Sequence, residues 1–330
     1  MKRKKILISG GAGFIGHHVI YNLLKETDYE IISIDRLDYS GSYSRIQQIV
    51  EKNKSWNKRV RVVWHDLKAE INPLTVNRIN NPDVILHLAA ASHVDRSITD
   101  PMSFVLDNVV GTVNLLNYAR DLKKLEKFVY FSTDEVFGPA PTNIRYKEDD
   151  RYNSGNPYAA SKAGAEEMCV AFKNTYNMPI IITHTMNVFG ERQHPEKYLP
   201  KIINYVLNKK ILTIHSNKNK TKAGSRFYIH AQDVADAVHF ILSKGKVGEK
   251  YNIVGSKELD NLQLAQIIAT HLGKKLKYKF VDFHSARPGH DLRYALSGSK
   301  LKKMGWQPRK NIEQRIKETV DWTIKNNEWL

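Results

Sequence analysis

Two short stretches hold the residues best equipped for chemistry. Thr133, Asp134 and Glu135 close and follow the run KFVYFST, and Tyr158 with Lys162 makes a YxxxK spacing in NPYAASKAG. On a helix, a four-residue spacing puts both side chains on one face. An ammonium placed there favours phenolate, which can take a proton from a hydroxyl while hydride leaves the attached carbon. Two carboxyl groups, one protonated and one ionised, suit a different step: one removes a carbon-bound proton and the other protonates a departing hydroxyl. Read singly, an acidic pair more often caps the segment behind it, and YxxxK is a common chance spacing.

A departing hydride needs an acceptor, and the N-terminal stretch offers a place for one. The strand-like KKILISG runs into Gly10-Gly11-Ala12-Gly13-Phe14-Ile15-Gly16, a GxxGxxG pattern. Glycines so spaced allow a tight turn, close approach of a pyrophosphate and close helix packing, with the helix N-terminus facing the negative charge. Asp35, followed by Arg36 and Leu37, ends the next strand-like run; its carboxylate can accept from adenosine ribose hydroxyls and repel a 2′-phosphate. That favours NAD over NADP, although Arg36 could itself receive a 2′-phosphate. Asp66, with Leu67 behind it, could reach an adenine amino group. Leu88, Ala89 and Ala90 end a fourth apolar run where small residues let a dinucleotide pass. Each of these alone reads equally well as a plain strand terminus.

The elements that must position these residues follow an alternating pattern. KKILISG, EIISID, RVRVVWHD, PDVILHLAA, KFVYFST and IIITHT read as strands, with helices predicted from about Phe14, Pro101 and Tyr158. Near-continuous apolar strands alternating with helices imply a parallel sheet covered on both faces. The fold class is therefore α/β, a Rossmann-type doubly wound parallel sheet of six or seven strands with a smaller, interleaved α/β substrate-binding domain. Residues 1–187 are expected to form the NAD-binding domain, with returning elements near 226–255, and 188–330 mainly the second domain. Helices are predicted near YLPKIINYVL, DVADAVHFIL and NLQLAQIIATHL, and a closing amphipathic helix from Ile312 to Asn326.

At 330 residues the chain can bury a sizeable core. Its lone Cys169 excludes an intramolecular disulfide and a thiolate metal site, so a reducing compartment is expected and no metal. No run of eighteen apolar residues occurs, and the opening MKRKKILISG is too short in apolar residues for a signal peptide, giving the expectation of a soluble cytoplasmic protein without a membrane partner. The formal net charge of +17 raises the question of nucleic acid. The basic residues are scattered, however, and no aromatic ladder interleaves them, so the expectation is a solvated surface, with steering of anionic substrates as an alternative.

Taken together, the glycine turn, Asp35, YxxxK and the strand ending in Ser132-Thr133 resemble the extended short-chain dehydrogenase/reductase superfamily. Within it, STDEVFG resembles the signature of the nucleotide-sugar 4,6-dehydratases. HLAAASHVDRS (87–97), HPEKYLP (194–200), KYNIVG (250–255) and ARPGHDLRYALSGSKL (286–301) carry the resemblance along almost the whole chain. It implies NAD-dependent dehydration of dTDP-glucose or UDP-glucose to a 4-keto-6-deoxy sugar: oxidation at C4, loss of water across C5 and C6, and hydride return to C6. It implies Tyr158 and Lys162 for the oxidation, Glu135 as the C5 base, Asp134 as the acid for the C6 hydroxyl, and Thr133 near O4.

By the same resemblance Ser92, Asn187, Glu196 and Lys197 line the sugar-nucleotide pocket. Arg226 and Arg287 would clamp its diphosphate, with Asn261 and His290 nearby. A homodimer is implied, through helices near 101–121 and 158–177, and so is a place ahead of 6-deoxy sugars such as rhamnose. The chain departs from the family pattern at Ala91, at Val188 and in the lysine-rich stretch SNKNKTKAGS. The nucleobase stays open between thymidine and uridine. The rival readings are a nucleotide-sugar 4-epimerase or decarboxylase, which has no need of two adjacent carboxyls, and a non-catalytic NAD- or RNA-binding protein.

Overall fold

The computed structural model describes residues 3–283 and 292–330. Its centre is a sheet of seven strands: β1 (Lys5–Ser9), β2 (Glu30–Asp35), β3 (Val60–Trp64), β4 (Val84–His87), β5 (Lys127–Thr133), β6 (Ile180–Thr185) and, after four strands that lie outside it, β11 (Lys250–Ile253). The four are β7 (Val188–Phe189), β8 (Leu212–Ser216), β9 (Ser225–Arg226) and β10 (Ile229–His230). The order across the sheet is β11-β6-β5-β4-β1-β2-β3. Every pairing is parallel, from Ile6 opposite Val84 to Thr133 opposite Thr185. This is the doubly wound architecture that the alternating pattern predicts.

Its faces follow from the two-residue period of the strands. Ile6 and Ile8 point to one side, where they meet Val19, Ile20 and Leu23 of α1 (Phe14–Glu26). Leu7 points to the other, where Leu115 and Leu116 of α6 (Gly111–Arg120) and Ala165, Cys169 and Phe172 of α7 (Pro157–Tyr176) cover the sheet. All of β1 and β6 is buried, as a parallel strand sandwiched between helices must be. The chain re-enters this layer late: α9 (Ala231–Lys244) contributes Val234, Val238 and Ile241 to the α1 side, and β11 adds to β6.

A separate core gathers the second half. Leu199, Ile202, Ile203 and Val206 of α8 (Tyr198–Leu207) pack with Leu264 and Ile268 of α10 (Asn261–His271), Leu212 and Ile214 of β8, and Ile316 and Val320 of the closing helix Ile312–Lys325. Two small sheets frame it, β8 with β13 (Tyr278–Asp282) and β9 with β12 (Leu259–Asp260).

The helix predicted from Pro101 does start there, but the sequence showed neither the short helix before it nor the irregular turn within it. HVDRSIT already folds as α4 (Val94–Thr99), and Asp100 then caps α5 (Pro101–Phe104) by accepting from Ser103 N at 3.2 Å. Proline at the first helical position suits a new start, because its missing N–H is one that the helix end would leave unpaired. Val105–Val110 continue as a widened π-helical stretch before α6 begins. A second unforeseen element is the 3-10 turn Asp134–Phe137, directly behind β5.

Candidate active site

The sheet order reverses direction between β1 and β4, and the carboxyl ends of these strands open on a long cleft, the place where open α/β sheets bind ligands. Gly10 turns the chain out of β1 at φ +72°, and a Cβ there would stand 2.8 Å from Ala89 N. Gly16 lies so close under the turn that a Cβ would meet Gly10 O at 2.2 Å. Helix α1 starts behind Gly13 with no side-chain cap and no acid in its first turn, so its free amides face the cleft. A pyrophosphate fits these residues.

The expected residues Gly10, Gly13, Phe14, Ile15 and Gly16 line the cleft, with Asp35, Arg36, Asp66, Leu67, Leu88, Ala89 and Ala90. Leu37 does not; its side chain packs against the core on the α1 side, and its amide donates to Asp35 Oδ1 at 2.8 Å. Asp35 Oδ2 also accepts from Ala12 N at 3.2 Å. Burial still raises the Asp35 pKa above the usual carboxylate value, the two backbone donors opposing it.

Arg36 is already engaged. Its Nη1 and Nη2 donate to the two carboxylate oxygens of Asp107 at 2.6 and 2.9 Å, and its Nε donates to Asp38 at 2.6 Å. The guanidinium considered as a 2′-phosphate partner is thus tied to two carboxylates. No sequence signal marked Asp107, because it reaches Arg36 only through the π-helical stretch.

At the inner end of the cleft lie Tyr158 and Lys162, on the first turns of α7. Asn156 caps that helix, its Oδ1 accepting from Ala159 N at 2.9 Å, while its Nδ2 donates to Glu135 Oε2 at 3.0 Å. One side chain therefore sets both the helix start and the Glu135 carboxylate. Tyr158 N donates to Ser97 Oγ at 3.1 Å. Thr133, at the end of β5, donates from Oγ1 to Asp134 Oδ1 at 3.0 Å, and its hydroxyl eases ionisation of the Tyr158 phenol. Asn108, fully buried on the π-helical stretch, accepts from Ala91 N at 2.8 Å and donates to Ser161 Oγ at 2.8 Å, fixing the wall of the cleft to α7.

The two carboxyl groups sit in different surroundings. Asp134 is buried; burial first, and the Glu135 charge second, push its pKa up to about 7, against the opposing charge of Arg226. Its Oδ2 has no hydrogen-bond partner among the described residues. Glu135 is only partly buried and holds the Asn156 amide.

The expected tuning of the phenol by the ammonium is not what the structure displays. Lys162 Nζ donates to Phe131 O at 2.6 Å and lies 4.2 Å from the centre of the Tyr130 ring, and burial lowers its pKa to about 7. Burial and the Glu135 charge raise the Tyr158 pKa, with only the Thr133 hydroxyl opposing them.

On the substrate side, Ser92, Glu196 and Lys197 line the cleft, whereas Asn187, Arg226 and Asn261 stand outside its lining. Glu196 takes both oxygens to Arg96 Nη2 at 3.0 Å, and the Arg96 guanidinium lies 4.1 Å from the Tyr39 ring centre. Arg226 is buried, donates from Nη1 to Ser225 O and Leu292 O at 2.7 and 2.8 Å, and acts electrostatically on Asp134. Asn261 opens α10 and accepts from Tyr228 OH at 2.6 Å. Arg287 and His290 lie outside the described residues.

Residues 7–319 match the family model described as GDP-mannose 4,6 dehydratase. The chain is 35% identical to a dTDP-glucose 4,6-dehydratase of Escherichia coli, over 98% of this chain and 95% of that one. It is 35% identical to the dTDP-D-glucose 4,6-dehydratase of Mus musculus, over 98% and 89%. A dTDP-glucose 4,6-dehydratase from Streptomyces venezuelae, solved with NAD bound, superposes with a TM-score of 0.88 at 33% identity, covering 98% of each chain. A UDP-glucose 4-epimerase from Thermus thermophilus, in complex with NAD, gives 0.86 at 28% identity, covering 96% of this chain and 98% of that one.

Proposed function

The chain belongs to the nucleotide-sugar 4,6-dehydratase family, and on that premise we propose that it removes water from a nucleoside-diphosphate glucose, dTDP-glucose or UDP-glucose, to give the 4-keto-6-deoxy sugar. The observation that carries this reading is the unlike pair Asp134 and Glu135 beside Tyr158. Since the epimerase neighbour shares the fold, the fold alone does not choose between the two reactions, and the chemistry of the acids must.

NAD, held by the glycine turn, the α1 amides and Asp35, supplies the acceptor for the C4 hydride and its donor to C6. The work of this chain's own residues is proton handling and positioning. Tyr158 takes the C4 hydroxyl proton as phenolate, a form that the cations of Lys162 and of NAD must favour against the burial and the Glu135 charge that raise its pKa, and Thr133 stands beside O4. The new ketone acidifies C5, and Glu135, steered by Asn156, removes that proton. Asp134, whose pKa near 7 leaves much of it protonated at neutral pH, gives its proton to the departing C6 hydroxyl. Two carboxyl groups in unlike surroundings therefore divide one elimination into base and acid, and Glu135 hands its proton back to C5 as hydride reaches C6.

Arg226 supports a role at the diphosphate end or beside Asp134. Ser92, Asn187, Glu196, Lys197 and Asn261, with Arg287 and His290, complete the proposed substrate site, which draws on both domains. The exposed apolar residues Ile98, Met102, Val105 and Leu106, along α4, α5 and the π-helical stretch, support a homodimer through this face and α7. No helix among the described residues is long and apolar enough to cross a membrane. A cytoplasmic place ahead of 6-deoxy sugars such as rhamnose is the setting we propose.

The test is incubation of the purified protein with dTDP-glucose and, separately, UDP-glucose, following the mass of the nucleotide sugar. Loss of one water supports the dehydratase, and the relative rates identify the preferred base. A product of unchanged mass would point to epimerisation and overturn the reading.

A further inference from the structure

The adenosine end of the cleft holds an arrangement that neither the glycine turn nor Asp35 explains. Arg36 directly follows Asp35 and lines the cleft, the position from which a cation could neutralise a 2′-phosphate. Its donors are nevertheless spent on other partners. Two of its nitrogens make a bidentate pair with Asp107, a third donates to Asp38, and Asp66 Oδ1 stands 3.9 Å from Nη1. The Asp107 carboxylate is the more buried partner, with 11% of its side chain exposed against 28% for Asp38. A fork-to-fork pair of this kind fixes the plane of the guanidinium as well as its charge.

We propose that Asp107 is a specificity-determining residue: by holding the Arg36 guanidinium it denies a 2′-phosphate the cation that directly follows Asp35, so that the site selects NAD over NADP. This rests on the NAD-dependent reading above and adds a second determinant to it, one that comes from a distant helix and not from β2. The electrostatics act in the same sense. Asp35, Asp38, Asp66 and Asp107 surround a single guanidinium, with Lys68 beside Asp66 at 3.3 Å, so the surroundings of the ribose carry net negative charge even with Arg36 present. A phosphate dianion entering there meets repulsion from the carboxylates and no available donor fork.

The π-helical stretch makes the pairing geometrically consistent. Asn108, the next residue, is committed to Ala91 and Ser161 on the catalytic side, while Asp107 faces the adenosine side. Adjacent residues of one widened turn thus serve both ends of the cleft.

The experiment measures equilibrium binding of ADP-ribose and of 2′-phospho-ADP-ribose, two probes that differ only in the phosphate. Against the unchanged protein, Asp107→Asn should bind 2′-phospho-ADP-ribose at least about tenfold more tightly, the order expected when a close opposing charge leaves a partly buried anion site. Its ADP-ribose affinity should stay within about threefold, since the ribose hydroxyls still face Asp35. Adding Arg36→Ala to Asp107→Asn should abolish the gain. If Asp107→Asn does not fold, Arg36→Ala alone still decides: the proposal expects no loss of 2′-phospho-ADP-ribose affinity, because the tied guanidinium contributes nothing to it. An Asp107→Asn protein that binds ADP-ribose normally and gains nothing for the phosphate probe overturns the proposal, as does an Arg36→Ala protein that loses affinity for it. Failure of the unchanged protein to bind ADP-ribose would instead sink the NAD reading beneath it.

Discussion

Asp134 and Glu135 are neighbours in the chain and differ in almost everything else. The buried carboxyl of Asp134 is pushed up to about 7, so the acid we assign to the C6 hydroxyl holds its proton below that pH and loses it above. The dehydration rate should therefore fall as pH rises through about 7, and a pH profile of product formation checks it; a rate flat to high pH would remove Asp134 from the role. The same shift has a stability sign. A carboxyl whose folded pKa exceeds its ordinary 3.8 is bound more tightly to its proton in the folded chain, so stability is lost as pH climbs from near 4 to about 7. Asp134→Asn should accordingly melt higher than the unchanged protein above pH 7, and the difference should vanish below about pH 4, as thermal unfolding at several pH values would reveal. Glu135→Gln should still oxidise the sugar but stall before water leaves, seen as NADH absorbance that persists with substrate present. The acidic pair and its place behind Thr133 were legible in the sequence. Which of the two would be buried was not, since that depends on Val136 and Phe137 packing under the 3-10 turn.

At the scale of elements, the strands were legible because a parallel sheet covered on both faces writes itself as continuous apolar runs. β1, β2, β5 and β6 all begin or end within a residue or two of those runs. The segment 94–120 was not, because two helix starts and a π-helical stretch share one apolar stretch, and periodicity averages over them. Hidden there were Asp107 and Asn108, which no motif or spacing marked. Asn156 was missed too, although an asparagine before Pro157 is a recognisable helix-start signal. Its replacement by alanine removes a cap worth about 1 kcal/mol and also releases Glu135. Asn156→Ala should therefore lower the melting temperature modestly while reducing kcat for dehydration more than it changes substrate KM. An unchanged kcat would assign Asn156 to the helix alone.

For the whole molecule, the late return of α9 and β11 to the first layer ties the second half of the chain to the sheet that carries the site. Buried Arg315 of the closing helix pairs with Asp233 of α9, Nε to Oδ2 at 2.9 Å, and adds to that tie. Charge and composition described the surface without locating the sugar-nucleotide side, because its proposed residues come from widely separated stretches of the chain. The proposed dimer is also a whole-molecule property. Met102 and Leu106 are exposed apolar side chains one helical turn apart, and burying charge in such a face is costly. A Met102→Glu, Leu106→Glu protein should elute as a monomer in sizing experiments coupled to light scattering, whereas the unchanged chain should elute as a dimer. Equal masses for the two would contradict the assigned interface.

The most direct test of the central claim is to supply the nucleotide-linked glucose carrying deuterium at C4 and to locate the label in the product. The account predicts a product lighter by one water, with deuterium on the C6 methyl group, because hydride taken from C4 is kept in the site and returned two carbons along. Retention of the sugar's mass with the label back at C4, or a dehydrated product with no deuterium at C6, would contradict it.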